Sequence, residues 1–183
     1  EGTSFVPVPE VRILRVKEGR KIGKVDFLLA RLDESRNPTD FAALEVQAVY
    51  FSGANIRPAM EYFLKHGSLD PGNCQRRPDY RSSAQKRLMP QLALKVPVFR
   101  RWGKRFFVAV DTLLFASLPA FRPVEPANSE VIWLSYPLAR SAHAYSVGDP
   151  TVVFTVWDDV LDALREGQAP SPEEIIDELK RRL

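Results

Sequence analysis

The feature that most constrains the fold is the run of residues 41–50, FAALEVQAVY, in which a carboxylate and an amide stand two residues apart in an apolar segment. Side chains alternate faces along a strand, so Glu45 and Gln47 point to the same side. The residues of the other face are all apolar: Leu44, Val46 and Ala48. We therefore predict a strand whose apolar face lies on a core and whose opposite face presents Glu45 and Gln47.

A second apolar segment, residues 24–29, carries a single acid, Asp26. The turn-forming residues 33–40, DESRNPTD, separate it from the first run, which predicts an antiparallel hairpin with a loose loop. An acid on one strand and Glu-x-Gln on its neighbour offer the oxygen ligands that Mg²⁺ prefers. Two carboxylates about 4 Å apart repel by roughly 4 kcal/mol at an effective dielectric of about 20, and a cation between them removes that repulsion. A metal held there would also activate water and neutralise charge on a phosphate, as phosphodiester hydrolysis requires.

These segments resemble the PD-(D/E)xK nucleases and, more narrowly, the NotI-type restriction endonucleases. The resemblance is carried by VDF at 25–27, the long loop, LEVQ at 44–47 and YFSG at 50–53. In this subset a glutamine replaces the terminal lysine of the motif. The resemblance implies that Asp26, Glu45 and Val46 bind the metal. It also implies that Asp26, Glu45 and Gln47 carry the catalysis, with Gln47 beside the attacking water.

The segments that follow have the patterns that such a core requires. A helix is predicted over residues 57–66, ended by Gly67, and a longer helical stretch begins at Ser83 and must break or kink at Pro90 and Pro97. Strands are predicted at 11–16, 104–111, 131–136 and 151–156, and closing helices at 158–165 and 172–183. We therefore predict an α/β fold, with a mixed central β-sheet flanked by helices and a restriction-endonuclease-like core. We expect one domain, residues 1–183, with a carboxy-terminal helical segment at 157–183.

The cationic residues are clustered along the chain. The net charge of +3 and the pI of about 9.1 suit a polyanionic partner but would also suit many other proteins. We expect five cations between residues 75 and 87 to bind DNA phosphates: Arg76, Arg77, Arg81, Lys86 and Arg87. A second basic cluster lies at 100–105 around Trp102. The alternative for both clusters is a solvated surface without a partner.

Several other classes of protein find little support. No apolar run is long enough to cross a membrane and no signal peptide is visible, so we expect a cytoplasmic location. The single cysteine, Cys74, excludes an internal disulfide and the accessory four-cysteine iron site that NotI-type enzymes are known to carry. Because the chain also begins at Glu1, we expect either a shorter relative or a fragment, and the role of Glu10 stays open. His66 and His143 lie outside any metal-ligand spacing.

The function expected from the residues and the resemblance is a Mg²⁺-dependent double-strand DNA endonuclease of the restriction type. A symmetric DNA target would favour a homodimer. The alternative is an inactive DNA-binding or assembly module on the same scaffold. For the residues themselves, the alternative is that Asp26 pairs with Lys24 or Arg31 and that the main chain satisfies the Gln47 amide.

Overall fold

A six-stranded sheet forms the centre of the molecule. The computed structural model describes residues 5–15, 21–53, 55, 57–68, 77–80, 83–140, 145–165 and 171–183. Within them the strands are β1 (Phe5–Pro9), β2 (Arg12–Arg15), β3 (Lys21–Lys24), β4 (Phe27–Leu32), β5 (Pro38–Gln47), β6 (Tyr50–Ser52), β7 (Arg77–Asp79), β8 (Phe106–Asp111), β9 (Val131–Tyr136), β10 (Leu138–Arg140), β11 (Tyr145–Val147) and β12 (Thr151–Thr155). The helices are α1 (Arg57–His66), α2 (Met89–Arg101), α3 (Thr112–Ala116), α4 (Trp157–Arg165) and α5 (Pro172–Arg182).

The sheet is mixed, as the sequence predicted. Its strand order is β1-β4-β5-β8-β9-β12. Strand β5 is antiparallel to β4 and parallel to β8, which is itself parallel to β9. The parallel pair β5 and β8 is joined through helix α2, the kind of long connection that parallel neighbours need. The α/β prediction is therefore confirmed.

Helix α2 covers one face of this sheet and supplies much of the core. Its side chains Leu92, Val96 and Phe99 are fully or almost fully buried, and they share a hydrophobic cluster with Ala43 of β5 and Phe106 of β8. The Phe99 and Phe106 rings meet edge to face, with centroids 5.3 Å apart. Packing of this kind fixes the position of every other side chain on α2, including its charged ones.

The two prolines of this segment do not divide the helix. A π-helical turn, Ser83–Leu88, leads directly into α2, and Pro90 lies in the first turn of α2. Pro97 lies inside α2, which nevertheless continues to Arg101. Of the two predicted outcomes, a break at Pro97 is absent, because burial of the helix face outweighs the loss of one hydrogen bond, and a kink there stays a prediction.

The predicted hairpin is present, but its first strand is divided. Strands β4 and β5 pair antiparallel, with Phe27 opposite Leu44. Strand β3 ends at Lys24 and pairs with β2 in a separate two-stranded sheet, so Asp26 lies in a bend just before β4. The Val25 N–H donates to the Val11 carbonyl at 2.9 Å, which holds this bend against the β2 segment.

The two faces of β5 are not arranged as predicted at the end of the strand. The face with Ala43 and Glu45 is buried under α2, whereas Val46 on the opposite face is 52% exposed. Val46 and Ala48 line an open apolar groove with Leu138 and Val147 of the β10–β11 hairpin. In its buried position Glu45 forms an ion pair with Lys95 of helix α2.

Other predictions at the level of elements hold with small changes. Helix α1 and strand β9 have the predicted limits. The sequence analysis did not predict β1, because its five residues are exposed and include two prolines. Prolines are tolerated there because β1 is an edge strand, in which some N–H groups need no partner. Within the described part of the chain, no helix is both long and apolar enough to cross a membrane.

Candidate active site

Asp26 and Glu45 are brought together where the bend before β4 meets the end of β5. The Asp26 Oδ2 accepts a hydrogen bond from the Val46 N–H at 2.8 Å. Because Val46 directly follows Glu45, this bond anchors the Asp26 carboxylate beside Glu45 at the carboxyl end of β5. The register of the hairpin gives the same result, since Phe27 lies opposite Leu44.

Glu45 is almost completely buried, and its partner comes from helix α2. The Lys95 Nζ donates to the Glu45 Oε1 at 2.5 Å, and the two side chains are only 6% and 3% exposed. Lys95 also donates to the Gln91 Oε1 at 3.1 Å, one turn earlier on the helix. Removing one member of a buried ion pair leaves an uncompensated charge and typically costs about 3–5 kcal/mol. The pair therefore ties β5 to α2 at the site.

The second oxygen of Glu45 has a different environment. Among the described residues, Oε2 is the buried side-chain oxygen that has no hydrogen-bond partner. A buried carboxylate oxygen without a donor is unfavourable unless a cation or a water satisfies it. A carboxylate oxygen of this kind, on a side chain that feels the charge of Asp26, is the hard oxygen donor that a divalent cation takes.

The site supplies two carboxylates, which is the number that Mg²⁺ commonly takes from a protein. In the described ranges, no group of three or more His, Cys, Asp or Glu side chains is placed to hold a metal. The site offers two carboxylates, Asp26 and Glu45. Mg²⁺ is commonly held by one or two carboxylates, with waters and substrate phosphate completing its shell.

The electrostatics of the pair also favour a cation. Burial raises the pKa of Glu45, and the hydrogen bond and charge of Lys95 oppose that rise. The negative charge of Asp26 adds to the rise, whereas the Asp26 main chain, close to the same carboxylate, works against it. The Asp26 charge is thus close enough to act on Glu45. A cation shared by the two carboxylates would offset the cost of burying the Glu45 charge and would reduce the repulsion between the two acids.

Gln47 lies on the same face as Glu45 but is only half-buried. Its Nε2 donates to the Ala48 carbonyl at 2.7 Å. Main-chain satisfaction of this amide, the alternative considered from the sequence, is therefore present. The amide oxygen remains an acceptor, and the side chain carries no charge.

The other expected pairings of Asp26 are absent in the part of the chain that the structure describes. Lys24 donates to Glu10 at 2.6 Å, and Arg31 pairs with Asp40 at 3.6 Å. Glu10 itself adopts a left-handed conformation with φ 59°, and its N–H donates to the Asp26 carbonyl at 2.8 Å. Glu10 thus contacts the Asp26 main chain, while its own carboxylate bonds Lys24.

Part of the first basic cluster lies at the same end of β5. Lys86 and Arg87 belong to the π-helical turn, and the Arg87 guanidinium lies 4.1 Å from the centre of the Tyr50 ring. Tyr50 follows Gln47 by three residues. Arg77 is exposed on β7, which pairs with β6. Arg76 and Arg81 lie outside the described residues.

Two of the four cations in the second basic cluster, Arg100 and Lys104, form ion pairs within the described chain. Arg100 bonds Glu130 at 2.8 Å and Asp158 at 2.9 Å, and Lys104 bonds Asp40 at 2.5 Å. Intrachain acids therefore already neutralise these two cations, and DNA contact by the cluster stays a prediction.

Sequence reasoning missed Lys95 and its neighbour Gln91. Lys95 lies three residues after Leu92 and four before Phe99, so it shares the apolar stripe of the helix. A lysine at a core position is rare unless it is paired. That single charge within the apolar stripe was the signal available in the sequence.

Comparison with protein families matches residues 3–148 to the model described as Restriction endonuclease NotI. Comparison with curated proteins and with solved structures gives no match. The matched segment spans well over half of the 183 residues and contains the paired carboxylates, Gln47 and Lys95. The chain belongs to the NotI restriction endonuclease family, whose members cleave DNA.

Proposed function

We propose that the chain cleaves double-stranded DNA with Mg²⁺ held by Asp26, Glu45 and the main chain of Val46. The observation that carries this proposal is the buried Oε2 of Glu45, which makes no hydrogen bond of normal geometry with the described residues. The negative charge of Asp26 acts on the same carboxylate. Family membership supports the reaction, and enzymes of this type are typically metal-dependent. The particular ion and the particular ligands are our inference.

Each residue has a distinct task in this proposal. Bound Mg²⁺ would lower the pKa of a coordinated water and neutralise charge on the scissile phosphate. Asp26, whose carboxylate accepts from the Val46 N–H, and Glu45, through its Oε2, would hold the metal. Gln47 acts by hydrogen bonding alone, orienting the attacking water, because an amide carries no charge.

The DNA would lie across the end of β5, where the basic side chains are. Arg77, Lys86 and Arg87 contact phosphates, and Arg76 and Arg81 are further members of this set. Support comes from the stacking of Arg87 on Tyr50, which holds a cation close to the end of the strand that carries the carboxylates.

The test is cleavage of genomic DNA, whose sequence variety covers short recognition sites, in Mg²⁺ and in chelator. Asp26→Asn and Glu45→Gln should each lower the rate by about 10²-fold or more while DNA binding persists. Glu34→Gln is the matched control, since Glu34 is an exposed acid in the β4–β5 turn. Wild-type rates in both site variants would overturn the assignment.

A second candidate keeps the DNA binding and loses the chemistry. Its support is that Glu45 already has a counterion in Lys95 and that the Gln47 amide already donates to the main chain. This reading predicts DNA binding without cleavage at any Mg²⁺ concentration, so the same experiment decides between the two.

We also propose that residues 1–183 act as one domain and that a symmetric target is met by a homodimer. Helix α4 supports the first point, because Trp157 and Val160 belong to the same core cluster as α2. Light scattering of the protein with and without DNA tests the second.

A further inference from the structure

Lys95 brings to the site a positive charge that the matched motif residues do not supply. The motif normally ends in a lysine, and this chain has the neutral Gln47 there. Helix α2 instead brings the Lys95 ammonium to 2.5 Å from the Glu45 Oε1, in a position that is 6% exposed. A positive charge is thus present at the site, but it comes from a different element.

The two oxygens of Glu45 are used differently, and this division suggests what Lys95 does. Oε1 accepts from Lys95, which is itself held by Gln91 at 3.1 Å. Oε2 is buried and has no partner among the described residues. A carboxylate held by one oxygen cannot rotate freely, so the direction of the other oxygen is fixed as well.

We propose that Lys95 is a positioning residue: it serves as the internal counterion of Glu45, holding Oε1 so that Oε2 is left for the divalent cation. This inference rests on the proposed function, since it takes Glu45 as a metal ligand. Lys95 and the metal then compensate the same buried carboxylate, one on each oxygen. Loss of Lys95 should therefore lower the stability of the metal-free protein most, because a bound cation replaces part of the missing positive charge.

The test compares thermal unfolding of wild-type protein, Lys95→Met and Lys95→Arg, each in chelator and in Mn²⁺. Without metal, Lys95→Met should unfold roughly 5–10 °C below wild type, because a buried carboxylate loses its partner. With Mn²⁺ this deficit should shrink clearly. Lys95→Arg keeps the charge and should show a smaller deficit in both conditions. At saturating Mg²⁺, Lys95→Met should cleave at least about tenfold more slowly, with partial rescue in Lys95→Arg.

Two controls separate this role from a purely structural ion pair. Lys104→Met removes a lysine from a pair of the same length with Asp40, away from the site, so its deficit should not respond to Mn²⁺. The double variant Glu45→Gln/Lys95→Met buries no unpaired charge and should also lose the response to Mn²⁺. If Lys95→Met does not fold, Lys95→Gln, which retains a donor without the charge, is measured in its place.

The outcomes distinguish this inference from the function on which it rests. If wild-type protein is stabilised by Mn²⁺ and cuts DNA but the Lys95→Met deficit is the same with and without metal, Lys95 is only structural and the inference is wrong. If wild-type protein neither responds to metal nor cuts DNA, the proposed function fails and the inference fails with it. A deficit that shrinks in Lys95→Met but not in Lys104→Met supports the inference.

Discussion

At the scale of single residues, the site combines one fully buried carboxylate with one that is partly open. Glu45 is buried and held by Lys95, whereas Asp26 is fixed through the main chain of Val46. The two acids therefore differ in how much they can move. The less constrained side chain of the group is Gln47, which is half-buried and bonds only a neighbouring carbonyl among the described residues.

Gln47 is the residue whose role in the chemical step is easiest to isolate. Gln47→Ala should lower the single-turnover cleavage rate by about 10²-fold with little change in DNA affinity, because in the proposed mechanism the amide orients the attacking water and makes no phosphate contact. Gln47→Glu should be at least as harmful, since a third carboxylate changes both the charge of the site and the metal coordination. Quench-flow cleavage and a binding titration measure the two effects. Near-wild-type rates in both variants would make Gln47 a structural amide.

At the scale of elements, the site depends on how helix α2 packs on strand β5. The helix presents an apolar stripe to the sheet, and Lys95 lies within that stripe. Its ammonium reaches Glu45 only because Leu92, Val96 and Phe99 set the rotation of the helix on the sheet. The position of a charged group in the site is thus fixed by hydrophobic contacts on either side of it.

Phe99 is a fully buried residue of this helix–sheet contact. Its fully buried ring meets Phe41, Trp102 and Phe106, with centroids between 5.3 and 6.2 Å away. Phe99→Ala should lower the free energy of unfolding by about 3–5 kcal/mol, from lost burial and the cavity that remains. Urea unfolding followed by circular dichroism measures this. Leu113→Ala is the control, since Leu113 is a helical leucine that is 66% exposed and should change stability little.

At the scale of the whole molecule, charge is distributed so that overall attraction to DNA is weak. The net charge is only +3, and several cations are already paired with acids. Affinity for DNA must therefore come from local groups and not from the field of the molecule. Among the described cations, Lys86 and Arg87 of the π-helical turn before α2 are well placed to contact DNA phosphates.

The salt dependence of binding tests that assignment. Each phosphate contact contributes about 0.9 to the slope of log affinity against log salt, so the double variant Lys86→Ala/Arg87→Ala should reduce the slope by roughly 1.8. Lys180→Ala/Arg182→Ala is the control, because both side chains already bond acids of helix α5. Fluorescence anisotropy between low and moderate salt measures the slopes. An unchanged slope in the first variant would assign those cations to a solvated surface.

The sequence by itself determined the mixed sheet, the β4–β5 hairpin and the family motif. Alternation of apolar residues and the turn-forming loop are local signals, and they act over the length of a single strand or hairpin. Glu45 and Gln47 could be placed on one face for the same reason. The identity of the family also followed from short segments whose order along the chain is fixed.

Only the tertiary structure decided which face of β5 is buried and what meets Glu45 there. Lys95 is fifty residues away along the chain, and no local pattern links the two. Their contact requires the helix to lie on the sheet with one particular rotation, which is set by the packing of the apolar stripe. A buried charge needs a partner close by, and here packing of the helix on the sheet supplies it. The sequence therefore shows Glu45 and Lys95 but does not show that they pair.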